Sequence, residues 1–273
     1  MYIKLYIMIK YTKFRRIIMI TLITCLIGGF GAGIGTGLAG LSAAAVISPM
    51  LITFLGMPAY QAVGIALASD VLASAVSAYT YGKNKNLDIK NGMIMMITVL
   101  IFTMVGSYIS SLVPNKMMGN FSVYMTFLVG LKFIIKPVMT TKDDMEEKSV
   151  KTKIIQSILC GIMIGFICGF VGAGGGMMLL LILTSVLGYE LKTAVGTSVF
   201  IMTFTALTGA MSHFAIGGMP DFKILILCML FTFVGAQVSA KFANKSSEEV
   251  LNRVLGIVLC AIGALMIVMN MIA

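Results

Sequence analysis

The chain has 273 residues, of which 59% are hydrophobic and 11% charged, with a mean hydropathy of +1.03 and a formal net charge of +10. A soluble domain carries about a quarter charged residues, so a soluble enzyme or binding module is excluded, and the lack of apolar–polar alternation excludes a membrane β-barrel. The Lys and Arg residues sit in the N-terminus and between apolar runs, the pattern of cytoplasmic membrane loops and not of a nucleic-acid surface.

Residues 1–16 read as a basic, cytoplasmic N-terminus carrying Lys4, Lys10, Lys13, Arg15 and Arg16. The apolar run behind it has the outline of a signal peptide. A matching run later in the chain favours a retained membrane helix over 17–39 instead. A short apolar segment follows over 42–56, then helices over 61–81, 92–113 and 118–139. Residues 140–153 are a polar linker. The second part, 154–273, offers a helix over 154–172, a short segment over 174–188, and helices over 192–214, 222–241 and 250–271. The expected fold is therefore an all-α polytopic membrane protein, with about eight transmembrane helices and two short segments below the span length of about 20 residues. Short pieces of that kind are re-entrant or broken, and are tolerated at membrane depth only inside protein or along a cavity.

The two parts, 17–139 and 154–273, read as tandem repeats. Gly40, Gly56 and Gly64 return as Gly172, Gly188 and Gly196, each 132 positions on, and Asp88 returns as Asp221 with one residue of drift. Four full spans per half make the repeats parallel, with the N-terminus, the Lys83/Lys85/Lys90 loop and the linker all cytoplasmic. If the short segments cross fully, five spans make the repeats inverted. The parallel arrangement is the one expected here.

Cys25, Cys160, Cys168, Cys228 and Cys260 lie in apolar runs without metal-site spacing and read as small packing residues. Tyrosines take the place of the missing Trp as interfacial anchors. Gly161, Gly165 and Gly169 keep the four-residue spacing of close helix packing. The run Gly172-Ala173-Gly174-Gly175-Gly176 is different, because consecutive glycines disfavour a helix and suit a break. A half-helix starting there presents free N–H groups and a positive dipole end to an anion. In the first half the matching stretch is Gly40-Leu41-Ser42-Ala43-Ala44, and Ser42 is a candidate cap. Gly196, Thr197 and Ser198 add hydroxyls after the second short segment, with self-bonding to their own helix as the alternative.

Asp70 interrupts an apolar run, where a carboxylate costs roughly 2.5–3.5 kcal/mol on insertion scales. It reads as a proton carrier, a cation ligand or a partner to a base. His213, the single histidine, stands near a helix end as an interfacial residue or a second coupling group. One histidine supports no catalytic triad and no metal site, and no cofactor is expected.

The glycine-rich first helix, the short segment with Pro49, the Ala194–Ser198 stretch and Asp221-Phe222-Lys223 after Gly217-Gly218 occur together with the duplication. This ordered set resembles the sulfite exporter TauE/SafE family of bacterial membrane permeases. The resemblance implies a transporter of sulfur-containing anions such as sulfite or organosulfonates. It also implies a substrate region formed by Gly37, Gly40, Ser42, Pro49, Gly172, Gly174, Gly175, Gly176, Gly196, Thr197 and Ser198. The chain departs from the pattern at Ser42-Ala43-Ala44, at Gly64-Ile65-Ala66 and at Leu180-Leu181, and Asp70 is no part of it. The expected protein is a secondary transporter, an exporter of small anions in the bacterial plasma membrane, driven by an ion gradient through Asp70 and His213. An anion channel and a membrane-embedded enzyme are the alternatives. Its partners are a small anion and the lipid bilayer, with no nucleic acid; a homodimer is one assembly open to it.

Overall fold

The computed structural model describes residues 2–110, 127–128, 130–138, 150–171 and 175–272, and its regular structure is helical throughout. In chain order the helices are α1 (Tyr2–Ala39), α2 (Ala44–Leu55), α3 (Ala59–Lys83) and α4 (Ile89–Ser110), followed by a helical stretch at 130–135. After the linker come α5 (Val150–Val171), α6 (Gly175–Ser185), α7 (Leu191–Gly217), α8 (Phe222–Lys245) and α9 (Glu248–Ile272). Much of the expected 118–139 helix and of the 140–153 linker lies outside the described residues. The first helix does not begin at 17 but runs back to Tyr2 through the basic segment.

Local sequence explains the ends that matter. The short helices α2 and α6 are each followed by a glycine in the left-handed region, Gly56 at φ +62° and Gly188 at φ +71°, the conformation glycine adopts without steric cost. Gly56 N–H bonds to the Ile52 carbonyl at 3.1 Å and Met57 N–H to that of Leu51 at 3.3 Å, closing α2. Asp88 caps α4 by accepting from Asn91 N–H at 3.1 Å. Asp221 caps α8 by accepting from the N–H groups of Lys223 and Ile224.

Four segments among the described residues are long and apolar enough to cross a membrane: Ile18–Ala39, Gln61–Lys83, Leu191–Ala215 and Phe222–Lys245. Helices α2, α4, α5 and α6 contribute shorter apolar segments. The surface pattern agrees with a lipid environment. Ile23, Ile27, Ile97, Ile101, Leu230 and Val238 are exposed, while Ser69, Asp70, Ser74, Ser77, Thr197 and Ser198 are buried. Polar groups inside and aliphatic ones outside is the distribution that hydrocarbon, not water, selects.

Helix α1 packs on α8, α4 on α5, and α3 on both α7 and α8. Glycine positions give the directions. Gly29 faces Cys228 and Phe231, Gly33 faces Thr232 and Ala236, and Gly37 faces Ser239 and Ala240, so α1 and α8 run parallel. The missing side chains let the two backbones meet, as small residues do between membrane helices. Gly161 and Gly165 seat α5 on α4 in the same parallel sense, against Thr98 and then Val99 and Phe102. In contrast, Gly64 lies by His213 and Phe214, Gly209 by Leu67, and Gly196 by Tyr81, so α3 and α7 are antiparallel.

Two expectations are corrected by these directions. Helix α2 folds back along α1, with Leu41 beside Gly35 and Met50 beside Gly28. Twelve helical residues and the turn at 56–58 thus return the chain to the side where α1 began. Because α2 acts as a return pass, corresponding helices of the two parts point in opposite directions, not the same one. The start of α1 and the 84–88 turn, expected on one side, lie at opposite ends of the molecule.

Candidate functional site

The site is built where α1 stops. Gly40 takes φ +63° and ends the helix, with its N–H still bonded to the Thr36 carbonyl at 2.9 Å. Its carbonyl abuts Gly176 in the first turn of α6, and the Ser198 hydroxyl of α7 lies against its Cα. Neither glycine has room for a Cβ. The break between α1 and α2 and the start of α6 therefore touch directly, in the interior of the bundle. Two short helices begin at one place and lead away from it.

The first turn of α2 is occupied by a carboxylate. Asp70, near the middle of α3 and 1% exposed, accepts from the Ser42 hydroxyl at 2.9 Å and from the Ser74 hydroxyl at 3.1 Å. The Ala43 N–H and the Thr36 hydroxyl also lie against it, and among the described residues no charged side chain acts on it. Thr36 Oγ1 stands 2.7 Å from the Leu41 carbonyl and 3.0 Å from that of Ala32. A side-chain carboxylate thus takes the place at a helix start where orphan N–H groups and the helix dipole favour an anion. The residue 132 positions on is Met202, and its sulfur packs against Gly176. The two helix starts therefore carry different occupants, a carboxylate at α2 and a thioether at α6.

Of the residues expected to form the substrate region, Gly40, Ser42, Gly176 and Ser198 converge here. Gly175 opens α6 beside them, whereas Gly172 and Gly174 lie outside the described residues. Gly37 has its Cα turned to α8, against Ser239, and its carbonyl accepts from the Tyr81 hydroxyl at 2.9 Å. Pro49 stands two turns along α2, away from the break. Gly196 packs on the Asn86 carbonyl, and the Thr197 hydroxyl accepts from Asp88 N–H at 3.2 Å. Those last two join α7 to the α3–α4 turn. Ser198 donates to its own helix at the Val195 carbonyl, 2.8 Å away. His213 faces Gly64, six residues and about 9 Å of helix rise from Asp70, so the two expected coupling residues are not neighbours.

Several polar groups near this centre escaped the sequence reading. Ser74 follows Asp70 by one turn, a spacing that puts both on one helix face. Thr36 carried no comparable signal, and Tyr81, one of the tyrosines expected as interfacial anchors, is instead fully buried. A second cluster closes the end of the molecule bearing the 84–88 turn. There Tyr189 donates to Asp88 at 2.8 Å and Asn91 donates to the same carboxylate at 2.6 Å, while Asn86 donates to Asn244 at 2.7 Å. Burial and the adjoining Asp88 carboxylate push the Tyr189 phenol above its ordinary range, because both oppose a second negative charge.

Comparison with known proteins agrees with a membrane transporter. Probable membrane transporter proteins of Bacillus subtilis are similar along most of their length. YdhB is 24% identical, covering 81% of this chain and 90% of its own, and YunE is 26% identical, covering 88% and 94%. A probable membrane transporter protein of Methanocaldococcus jannaschii is 25% identical over 92% of this chain and 97% of its own. No solved structure matches the chain. The family model for sulfite exporter TauE/SafE matches residues 25–266, a span that takes in the short helices α2 and α6, Asp70 and the antiparallel α3–α7 pair, and the chain is a member of the sulfite exporter TauE/SafE family of membrane transporters.

Proposed function

We propose that this membrane transporter is a secondary carrier that exports small anions, with sulfur oxyanions such as sulfite or organosulfonates as the class its family name suggests. The observation that carries this reading is the contact between Gly40 and Gly176, where the end of α1 meets the start of α6. Broken helices that begin at a shared central point, with their N-termini toward the ligand, are the way secondary carriers hold anionic groups in a membrane. Gly175, Gly176, Ser198, Gly40 and Ser42 are the proposed contacts, and Asp70 is the proposed ion-coupling residue.

The residues 17–139 and 154–273 are read as two copies of one unit facing opposite ways. Gly56 and Gly188 end the two short helices in the same left-handed conformation, Asp88 and Asp221 cap the corresponding helices α4 and α8, and α3 runs against α7. Inverted units of this kind allow alternating access by rocking around a fixed site. The end bearing Lys83, Lys85, Lys90, Lys151, Lys153, Lys192, Lys241, Lys245 and Arg253 outweighs the other, which bears Lys4, Lys10, Lys13, Arg15, Arg16 and Lys223. It is read as cytoplasmic on the positive-inside tendency, which assigns the start of α1 to the opposite face of a bacterial plasma membrane.

The test is flux in proteoliposomes loaded with sulfite or methanesulfonate under an imposed proton gradient. Saturating, gradient-dependent flux is expected. Flux that rises linearly with concentration and ignores the gradient indicates a channel and rejects the carrier.

A further inference from the structure

We propose that Asp70 is the resident anion of the central site. Ionised, it occupies the start of α2 and keeps a substrate anion out; protonated, it withdraws, and one proton and one negative charge of substrate enter together. This inference rests on the anion-carrier reading above and adds the coupling ion, the stoichiometry and the means of coupling. Because proton and anion move in the same direction, export runs down the substrate's own outward gradient and carries one proton out with each anion.

Three features of the geometry carry it. The carboxylate is held by the donors a substrate oxyanion needs, the Ser42 hydroxyl at 2.9 Å and the Ala43 N–H, so carboxylate and substrate compete for the same groups. The protonated form also has a partner. Thr36 lies against Asp70 and can give its own proton to the Leu41 carbonyl 2.7 Å away, which leaves its oxygen free to accept from a carboxylic acid. A carboxyl with separate partners for its two charge states changes state without leaving a buried polar group unmade. Finally, Met202 takes the corresponding place in the second half and puts no charge on the start of α6. The exclusion is built into one half only.

The groups that face Asp70 from the surrounding elements are hydroxyls, Thr36 on α1, Ser42 on α2 and Ser74 on α3. Other titratable groups on those helices and on the helices packed against α3 include Tyr81, which donates to Gly37, Cys25 on α1 and Cys228 on α8, which face each other, His213 on α7 beside Gly64, Tyr79 further along α3, and Lys4, Lys10, Lys13, Arg15 and Arg16 in the first half of α1. Lys83 ends α3, Glu190 and Lys192 stand at the start of α7, and Lys223, Lys241 and Lys245 lie at the ends of α8. His213 is the single imidazole of the sequence, and the experiment separates it from Asp70.

Full-length protein in nanodiscs is titrated with methanesulfonate, a strong-acid anion whose charge is constant, between about pH 5 and 8. Proton uptake on binding is read in weak buffer. The wild type is expected to take up close to one proton per anion, with affinity falling up to about tenfold per pH unit where Asp70 is ionised. Asp70→Asn is expected to bind with a pH-independent affinity and no proton uptake, and His213→Gln to behave as the wild type. Binding by the wild type without proton uptake overturns the inference while leaving the anion carrier standing, as does a folded Asp70→Asn that keeps the pH dependence. If the wild type binds neither methanesulfonate nor thiosulfate at any pH, the anion site itself is rejected and the inference goes with it. The wild-type proton count decides the matter even if Asp70→Asn does not fold.

Discussion

Two glycines on α1, two residues apart, make opposite predictions. A Cβ on Gly33 would overlap the Thr232 carbonyl and lie 2.8 Å from Ala236 N and 3.0 Å from the Gly235 Cα, all backbone atoms of α8. Comfortable contact is about 3.5–4.0 Å, so α8 has to retreat by roughly 1 Å, since no rotamer change relieves a clash with main chain. The retreat also stretches the 3.3 Å bond from the Ser239 hydroxyl to the Gly33 carbonyl. Overpacking of this kind costs about 1–3 kcal/mol, so Gly33→Ala is expected to destabilise the protein by that amount. Gly31 has nothing within 4 Å of its Cβ position. Gly31→Ala is therefore neutral, or stabilising by up to about 1 kcal/mol through helix propensity. Reversible unfolding in mixed micelles of rising SDS content measures both variants against the wild type. Equal shifts for the two, or a greater loss for Gly31→Ala, would refute the parallel α1–α8 seam on which the directions of the other helices depend.

Removing the Tyr81 hydroxyl, as in Tyr81→Phe, leaves the Gly37 carbonyl without its partner and is expected to cost about 1–3 kcal/mol in the same unfolding assay; a change within error would mean that another donor replaces it. Ser42→Ala should lower stability by roughly 1–3 kcal/mol in the wild type and by less in the Asp70→Asn background, a coupling that a double-mutant cycle reads directly. Tyr189 carries a pH prediction. Its raised phenol pKa means the folded state holds that proton more tightly than the unfolded state, whose ordinary value is 10.0, so the stability it contributes is complete below about pH 10 and is lost as pH rises beyond it. Tyr189→Phe should flatten the alkaline fall in unfolding free energy, and an unaltered fall would assign it to other groups. Leu67→Cys with Gly209→Cys should crosslink under mild oxidation because the two positions face each other across α3 and α7, whereas a parallel α7 would bring neither within reach.

The class of the protein and the order of its helices were legible because hydrocarbon imposes composition directly. Runs such as 61–81 and 222–241 have to be apolar to cross it, and the structure extends them by only a few residues to Ala59–Lys83 and Phe222–Lys245. Direction was not legible. It depends on whether a segment as short as α2 returns the chain, which is decided by its packing along α1 through Gly28 and Gly35, not by its length. One mistaken parity at α2 reverses α3, α4 and α5, and with them the expected common side of the N-terminus and the 83–90 loop, until the same mistake at α6 restores the helices behind it.

Within the candidate site, Gly37 shows how a usable signal was passed over. Gly29, Gly33 and Gly37 keep the four-residue spacing that identified Gly161 and Gly165 as packing residues, and all three face α8. Gly40 breaks that spacing and is the residue at which the helix ends. Asp70 stood out as a charge in an apolar run, but its partner Ser42 is 28 residues away across a turn no pattern describes. The signal for the asymmetry of the site was present in the repeat itself, since the position 132 residues beyond Asp70 is Met202.

That asymmetry gives the site its electrostatic character. A helix start carries about half a positive charge, and the inverted arrangement brings two of them, α2 and α6, to the single point where Gly40 touches Gly176. Together they amount to roughly one positive charge in a region of low dielectric. One ionised Asp70 balances it, so the resting site needs no further ion and holds its hydrogen bonds through Ser42 and Ser74. Protonating Asp70 leaves about one charge uncompensated, and a monovalent anion restores the balance. With a carboxylate in both halves the site would repel the substrate at neutral pH. A methionine in both would leave anion binding with no tie to the proton, so under the proposed mechanism a single acidic residue in one of the two parts is the composition that couples the two.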